Sequence, residues 1–102
     1  MSLRLLGHIE LPDNRKQGGF DHAAVSRAHN ILYVAHTAID ALDLIDCASD
    51  RYLRSVPDLE GVAGALVCDT HDLVFTSNRA ENTAGIFSQA DERRLVKVGV
   101  GE

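Results

Sequence analysis

The sequence predicts an all-β chain: two four-stranded antiparallel meanders, each a repeat of the other, with one further strand leading into them. Three observations predict it. The first is an internal repeat. Shifted by 42 residues, Gly19–Glu60 lies over Gly61–Glu102 without a gap, and ten pairs are identical: Gly19/Gly61, Ala23/Ala65, Val25/Val67, His29/His71, Ala38/Ala80, Ala48/Ala90, Arg51/Arg93, Leu53/Leu95, Val56/Val98 and Glu60/Glu102. Others are conservative, among them Ile31/Leu73, Tyr33/Phe75, Leu44/Ile86 and Asp50/Glu92. The second is that each copy breaks into four short apolar runs separated by turn residues, the pattern of a β-meander. The third is that no window of about 12 residues keeps an i, i+3, i+4 apolar pattern, so the repeat is not helical.

The elements follow in order. Leu5, Ile9 and Leu11 alternate with His8 and Glu10, the period of a half-buried strand. This leading strand reads as the outer strand of a preceding unit. Pro12–Gly19 is a polar loop, longer than the matching connection Pro57–Gly61. Extra length in one loop of a repeat marks a binding face or a tolerated insertion. The first copy supplies strands near Asp21–Ser26, Ile31–Ala35, Ala41–Asp46 and Tyr52–Val56, and the second near Ala63–Cys68, Leu73–Ser77, Thr83–Phe87 and Arg94–Val98. The run Ile31-Leu32-Tyr33-Val34-Ala35 is apolar on both faces, as in a strand packed between two other sheets. Residues 1–18 therefore form a leading strand and loop, 19–60 a first blade and 61–102 a second. Leu44, Ile45, Ile86 and Phe87 are expected to be buried between blades.

Composition bounds the rest. Hydrophobic residues are 45% and charged residues 25% of the 102, the mix of a folded soluble chain. No stretch approaches the roughly 18 apolar residues of a spanning helix, so no membrane is expected. The start turns polar at Gly7-His8, without the apolar core of a secretory leader. A net charge of −5 argues against a nucleic-acid partner. Cys47 and Cys68 read as reduced thiols, which suits a cytoplasmic location.

Leu32-Tyr33-Val34-Ala35-His36, followed by Ala41-Leu42-Asp43-Leu44-Ile45-Asp46, resembles the repeat of YVTN-type β-propellers, in which a Tyr-Val-Thr-Asn strand precedes a Val-x-Val-Ile-Asp strand. The second copy carries the same skeleton as Val74-Phe75-Thr76-Ser77-Asn78, Gly85-Ile86-Phe87 and Val96-Lys97-Val98-Gly99. His36 stands for the motif's Asn in the first copy, and Ser88 for its Asp in the second. The resemblance covers residues 19–102 and implies propeller blades. It implies no shared reaction, since such folds host binding proteins, lyases and lactonases alike. Two blades leave two apolar sheet faces bare, and monomers rarely tolerate large bare patches. The expected state is a homo-oligomer closing a ring, with the leading strand crossing between chains.

Propeller ligands commonly sit at one mouth of the channel. The loops expected there offer Asp21, His22, His36 and Asp40 from the first blade and Asn78 and Asn82 from the second. A His/Asp group with an open position could hold a divalent metal. Against that, His36 and Asn78 share one repeat position, as do Asp40 and Asn82, and a structural role bonding loop backbone accounts for all four. That role is favoured, so no metal site and no cofactor is assigned. His29 and His71 lie in turns at the opposite mouth and read as solvated. No phosphate loop, nucleophile elbow or aromatic stripe is present. The expectation is a binding or scaffold module of unknown ligand, and not an enzyme. The alternative is a metal- or His-dependent propeller enzyme of the lactonase or lyase type, with its site at the channel mouth.

Overall fold

The computed structural model describes residues 2–101. Residues 1 and 102, the ends of the leading segment and of the second blade, lie outside it. Eight strands form two four-stranded antiparallel sheets, joined in sequence order without a crossover. The first sheet holds β1 (Ala23–Ser26), β2 (Ile31–His36), β3 (Ala41–Asp46) and β4 (Arg51–Val56). The second holds β5 (Val62–Cys68), β6 (Leu73–Asn78), β7 (Thr83–Ser88) and β8 (Asp91–Gly99). A single 3-10 turn, Thr37–Ile39, links β2 to β3. The ladder of the first hairpin extends past β1, since Asp21 N–H donates to Ala35 O and Ala35 N–H to His22 O, both at 2.9 Å.

The turns explain why the repeat survives in register. Asn30 and Asp72 close the first hairpin of each sheet with φ of 58°, and Asp40 and Asn82 close the second with φ of 55°. Left-handed backbone is accessible to Asn and Asp at low strain, because their short side chains bond locally. At the connection between sheets the turn needs glycine outright. Gly61 has φ +66°, and a Cβ there would sit 2.6 Å from Ala80 N.

Alternation in β2 and β3 gives each sheet a front and a back. On the front of the first sheet, Tyr33 stands beside Leu44 and Ala35 beside Leu42, with Val56 next to Leu42. On its back, Leu32, Val34 and His36 stand beside Ile45, Asp43 and Ala41. The second sheet repeats this 42 positions on, with Val74 beside Phe87 on its back. The core is the front of the first sheet packed on the back of the second: Tyr33, Ala35, Leu42, Leu44 and Val56 against Val62, Val74 and Phe87, with Leu59 from the connection. The Tyr33 and Phe87 rings meet edge to face, with centroids 6.3 Å apart. The front of the second sheet and the back of the first are the two ends of the stack.

Two expectations are corrected. The leading strand Leu5–Leu11 is not a strand within the chain. Neither sheet takes it as a member, and Ser2–Glu10 are exposed along their length, with Leu5 76% and Leu6 86% accessible. The reason is that β-structure exists only as pairing, and an alternating apolar pattern does not supply the partner edge. Ile86 is only partly buried; Leu44 and Phe87 are buried between the sheets as expected, whereas Ile45 is buried on the back of the first sheet, away from the second. Ile86 faces the front of the second sheet, which has no third sheet over it.

Phe87 is 1% exposed and fills the space between the sheets. Phe87→Ala should lower stability by about 3–5 kcal/mol in urea melts, whereas Ile86→Ala should cost much less. Equal losses would contradict this packing.

Candidate functional site

The loop end of the two sheets carries the residues singled out above, and the fold separates them into three kinds. His36 and Asn78 end β2 and β6 with side chains on the back faces, so both are buried, at 0% and 1% exposed. They bond side chains rather than loop backbone, because the pleat turns them onto the back faces of their sheets. His36 Nδ1 lies 2.8 Å from Asp43 Oδ2, and Nε2 lies 2.6 Å from Asn14 Oδ1. Ser55 Oγ donates to the other Asp43 oxygen at 2.6 Å, and the Tyr52 hydroxyl lies 2.8 Å from Ser55 Oγ. Phe20 stacks on the imidazole with centroids 4.1 Å apart. The row runs hydroxyl, carboxylate, imidazole, amide. No nucleophile stands on the imidazole, as a Ser–His or Cys–His pair would require. The row joins three strands to the polar loop through Asn14.

The second blade builds its buried counterpart from neutral groups and reaches a carboxylate only at the rim, where Thr83 Oγ1 donates to Glu81 Oε2 at 2.6 Å. Thr76 Oγ1 donates to Asn78 Oδ1, and Asn78 Nδ2 to Thr83 Oγ1, both at 3.0 Å. Gly85 occupies the place of Asp43. A Cβ there would meet Thr76 Oγ1 at 2.5 Å and Asn78 Nδ2 at 3.3 Å. His therefore goes with Asp in one blade and Asn with Gly in the other, so each buried polar set is satisfied.

Asp40 is of the second kind, a staple. It holds Lys16 Nζ at 2.7 and 2.8 Å and accepts the Gly61 N–H at 2.9 Å. The Gly61 hydrogen bond, and then Lys16, hold its carboxyl below the ordinary range. Asn82, its repeat partner, is an exposed turn residue whose carbonyl accepts the Val100 N–H at 3.0 Å.

Asp21 and His22 are of the third kind, open to solvent. Asp21 Oδ1 lies 2.7 Å from His22 Nδ1, and the imidazole is 76% exposed. The His22 N–H donates to Ala63 O at 3.0 Å, which ties the pair to the second blade. Asp21 lines a depression of about 360 Å³ at the seam with Thr37, Gly61 and Arg79. Arg79 also borders a second depression, of about 400 Å³, with Asn78 and Asn82. Arg79 is thus the residue shared by the Asp21 and Asn82 surfaces, and its repeat partner Thr37 gives no hint of that. Asp43 was also missed, although it interrupts the apolar run Ala41–Ile45 and that interruption is its signal in the sequence. Among the described residues, no group of three or more His, Cys, Asp or Glu side chains is placed to hold a metal ion. No helix is long and apolar enough to cross a membrane among them.

The opposite end is held by a denser polar seam. His29, expected as a solvated turn residue, is half-exposed and lies 2.7 Å through Nε2 from Asp72 Oδ1 across the two blades. Ser26 Oγ donates to Asp69 at 2.7 Å, and the Arg27 and Ala28 N–H groups donate to its other oxygen. Gln89 adds a donor at 3.1 Å and accepts the Tyr33 hydroxyl at 3.0 Å. Burial, reinforced by Glu92, raises the Tyr33 hydroxyl to about 12, so it remains a donor. Farther out, Arg54 forks onto Glu92. Cys47 and Cys68 are both free thiols.

The Ser26 hydroxyl, then Gln89 and the backbone N–H groups, lower Asp69 from an ordinary 3.8 to about 2. A depressed folded pKa stabilises the fold above the unfolded value, and that contribution is lost as pH falls through the folded value. The melting temperature should therefore fall between about pH 4 and pH 2, and fall less in Asp69→Asn. The same fall in both proteins would show that Asp69 does not staple the seam.

No family model matches the chain, and no curated protein matches it.

Proposed function

We propose that this chain is a pair of adjacent β-propeller blades of the YVTN-repeat kind, a binding or scaffold module that acts once further blades close the ring. One observation carries the reading: several positions buried between the sheets have exposed equivalents at the ends of the stack. Val56 is 3% exposed, and its equivalent Val98 is 47% exposed. Val62 is 0% exposed, and its equivalent Phe20 is 52% exposed. On the free front face, Leu66 and Val96 add to the bare apolar surface. A face with this composition is a packing face, and patches of this kind mark interaction sites.

In a closed ring the loop ends of successive blades surround one mouth. Asp21, His22 and Arg79 then supply one cation and one carboxylate–imidazole pair to a ligand of mixed polarity. The enzyme reading leans on Asp21, His22, His36 and Asp40; of these the His36 ring is buried and already bonded at both nitrogens, and Asp40 is engaged by Lys16 and Gly61. The two free thiols suit a reducing compartment, and we assign the module to the cytoplasm on that ground.

The chain alone should therefore enhance the fluorescence of an apolar surface dye or run above its 11.1 kDa mass in light scattering. The double variant L66D/V96D should do neither while keeping its circular dichroism. A wild-type monomer that binds no dye would overturn the reading.

A further inference from the structure

We infer that the surface covering the second blade's front face is the first blade's back face on a second copy of this chain, in head-to-tail contact. The inference rests on the propeller reading and names the partner. The two blades already display the contact once, front of the first on back of the second. The repeat then places the other half of each surface at opposite ends of the chain: the front of the second blade is exposed at Leu66, Val96 and Val98, and the back of the first is exposed at Phe20 and Val25 while His36, Asp43 and Ile45 on it are buried. The front of the second blade presents Phe75, Ile86, Val96 and Val98 where the first has Tyr33, Leu44, Arg54 and Val56. The back of the first blade presents Phe20, Leu32 and Ile45 where the second has Val62, Val74 and Phe87. Apolar character is retained at Phe75, Ile86 and Val98 and at Leu32 and Ile45, whereas Leu42 and Ala35 of the internal face give way to Ala84 and Ser77 and Arg54 to Val96. The repeat sets Phe75 of one copy over Leu32 and Ile45 of the other as Tyr33 stands over Val74 and Phe87.

The polar edges of the internal contact also translate. Asp40 accepts the Gly61 N–H within the chain, and Asn82 stands in the same left-handed turn, able to accept the Gly19 N–H of the next copy. His29 pairs with Asp72, and His71 faces Asn30. The charged pair Arg54–Glu92 has no counterpart, because its equivalents are Val96 and Asp50. The contact between copies is therefore less salt-bridged than the contact within one. The loop segment lies on part of the first blade's back face, where Phe20 stacks on His36 and Asn14 bonds it, and so forms part of the contact. Phe20 stands where Val62 stands, and the Ala38 N–H donates to Gly19 O much as the Arg79 N–H donates to Gly61 O. The arm is thus laid out as a connection arriving from a preceding blade.

Contact between unlike faces is heterologous, and that gives a test by complementation. L66R blocks the front face and V25R the back face. Both residues are exposed within one chain, at 63% and 49%, so neither change disturbs the core. Val96→Arg and Phe20→Ser replace them if either fails to fold by circular dichroism. The wild type should show masses of two or more chains in sedimentation at micromolar concentration. Each variant alone should be monomeric, and an equimolar mixture should give a species of two chains and no larger. Two results would overturn the inference. A wild type that stays monomeric while still binding an apolar dye would leave the propeller reading standing and assign the face to other blades. A V25R protein that dimerises alone would show front-to-front pairing.

Discussion

The packing of one sheet's front on the next sheet's back is the contact on which the rest of this molecule depends. A four-stranded sheet of six-residue strands cannot bury both of its faces by itself, and a single meander has little stability in water. Here Tyr33, Leu42 and Leu44 find Val74 and Phe87 across the gap. Fully burying side chains of that size stabilises by roughly 1.5–3 kcal/mol each. The connection between the blades serves the same contact. Leu59 enters the core from it and Val62 from the start of β5, and Gly61 lets the backbone pass Ala80 closely enough to bring them there.

Polar groups are arranged around that apolar contact and not in its place. At one end of the seam Asp69 gathers Ser26, Gln89 and two backbone N–H groups, and at the other Asp40 gathers Lys16 and Gly61. Each carboxylate accepts several donors, which is what keeps a partly buried charge tolerable. The back faces solve the same problem twice by different chemistry. His36 with Asp43 and Asn78 with Gly85 occupy equivalent places, and exchanging one member alone would leave a buried charge or a clash.

The end faces are read by the same logic. They differ from the internal faces in what covers them and partly in composition, since Leu42 and Ala35 give way to Ala84 and Ser77 and Gly85 to Asp43. The likeness that remains, at Phe75, Ile86 and Val98, is what supports the proposed continuation of the stack.

Much of the fold was legible before any coordinates. The 42-residue repeat, the four runs per copy and the turn residues Asn30, Asp40, Asp72 and Asn82 determined two four-stranded antiparallel sheets, because alternation and turn chemistry act over a few neighbouring residues. Little of the site was legible in that way. Local pattern marked His36 and Asn78 as loop-end residues, and only the pleat and the neighbouring layer decided that they are buried in side-chain networks with Asn14, Asp43 and Thr83. Asp69 and Arg79 carried no signal, since their repeat partners Arg27 and Thr37 share none of their chemistry. The segment Leu5–Leu11 is the clearest case. Its alternation is a property of the sequence, but pairing requires an edge at hydrogen-bonding distance, and only the tertiary structure decides whether one is there.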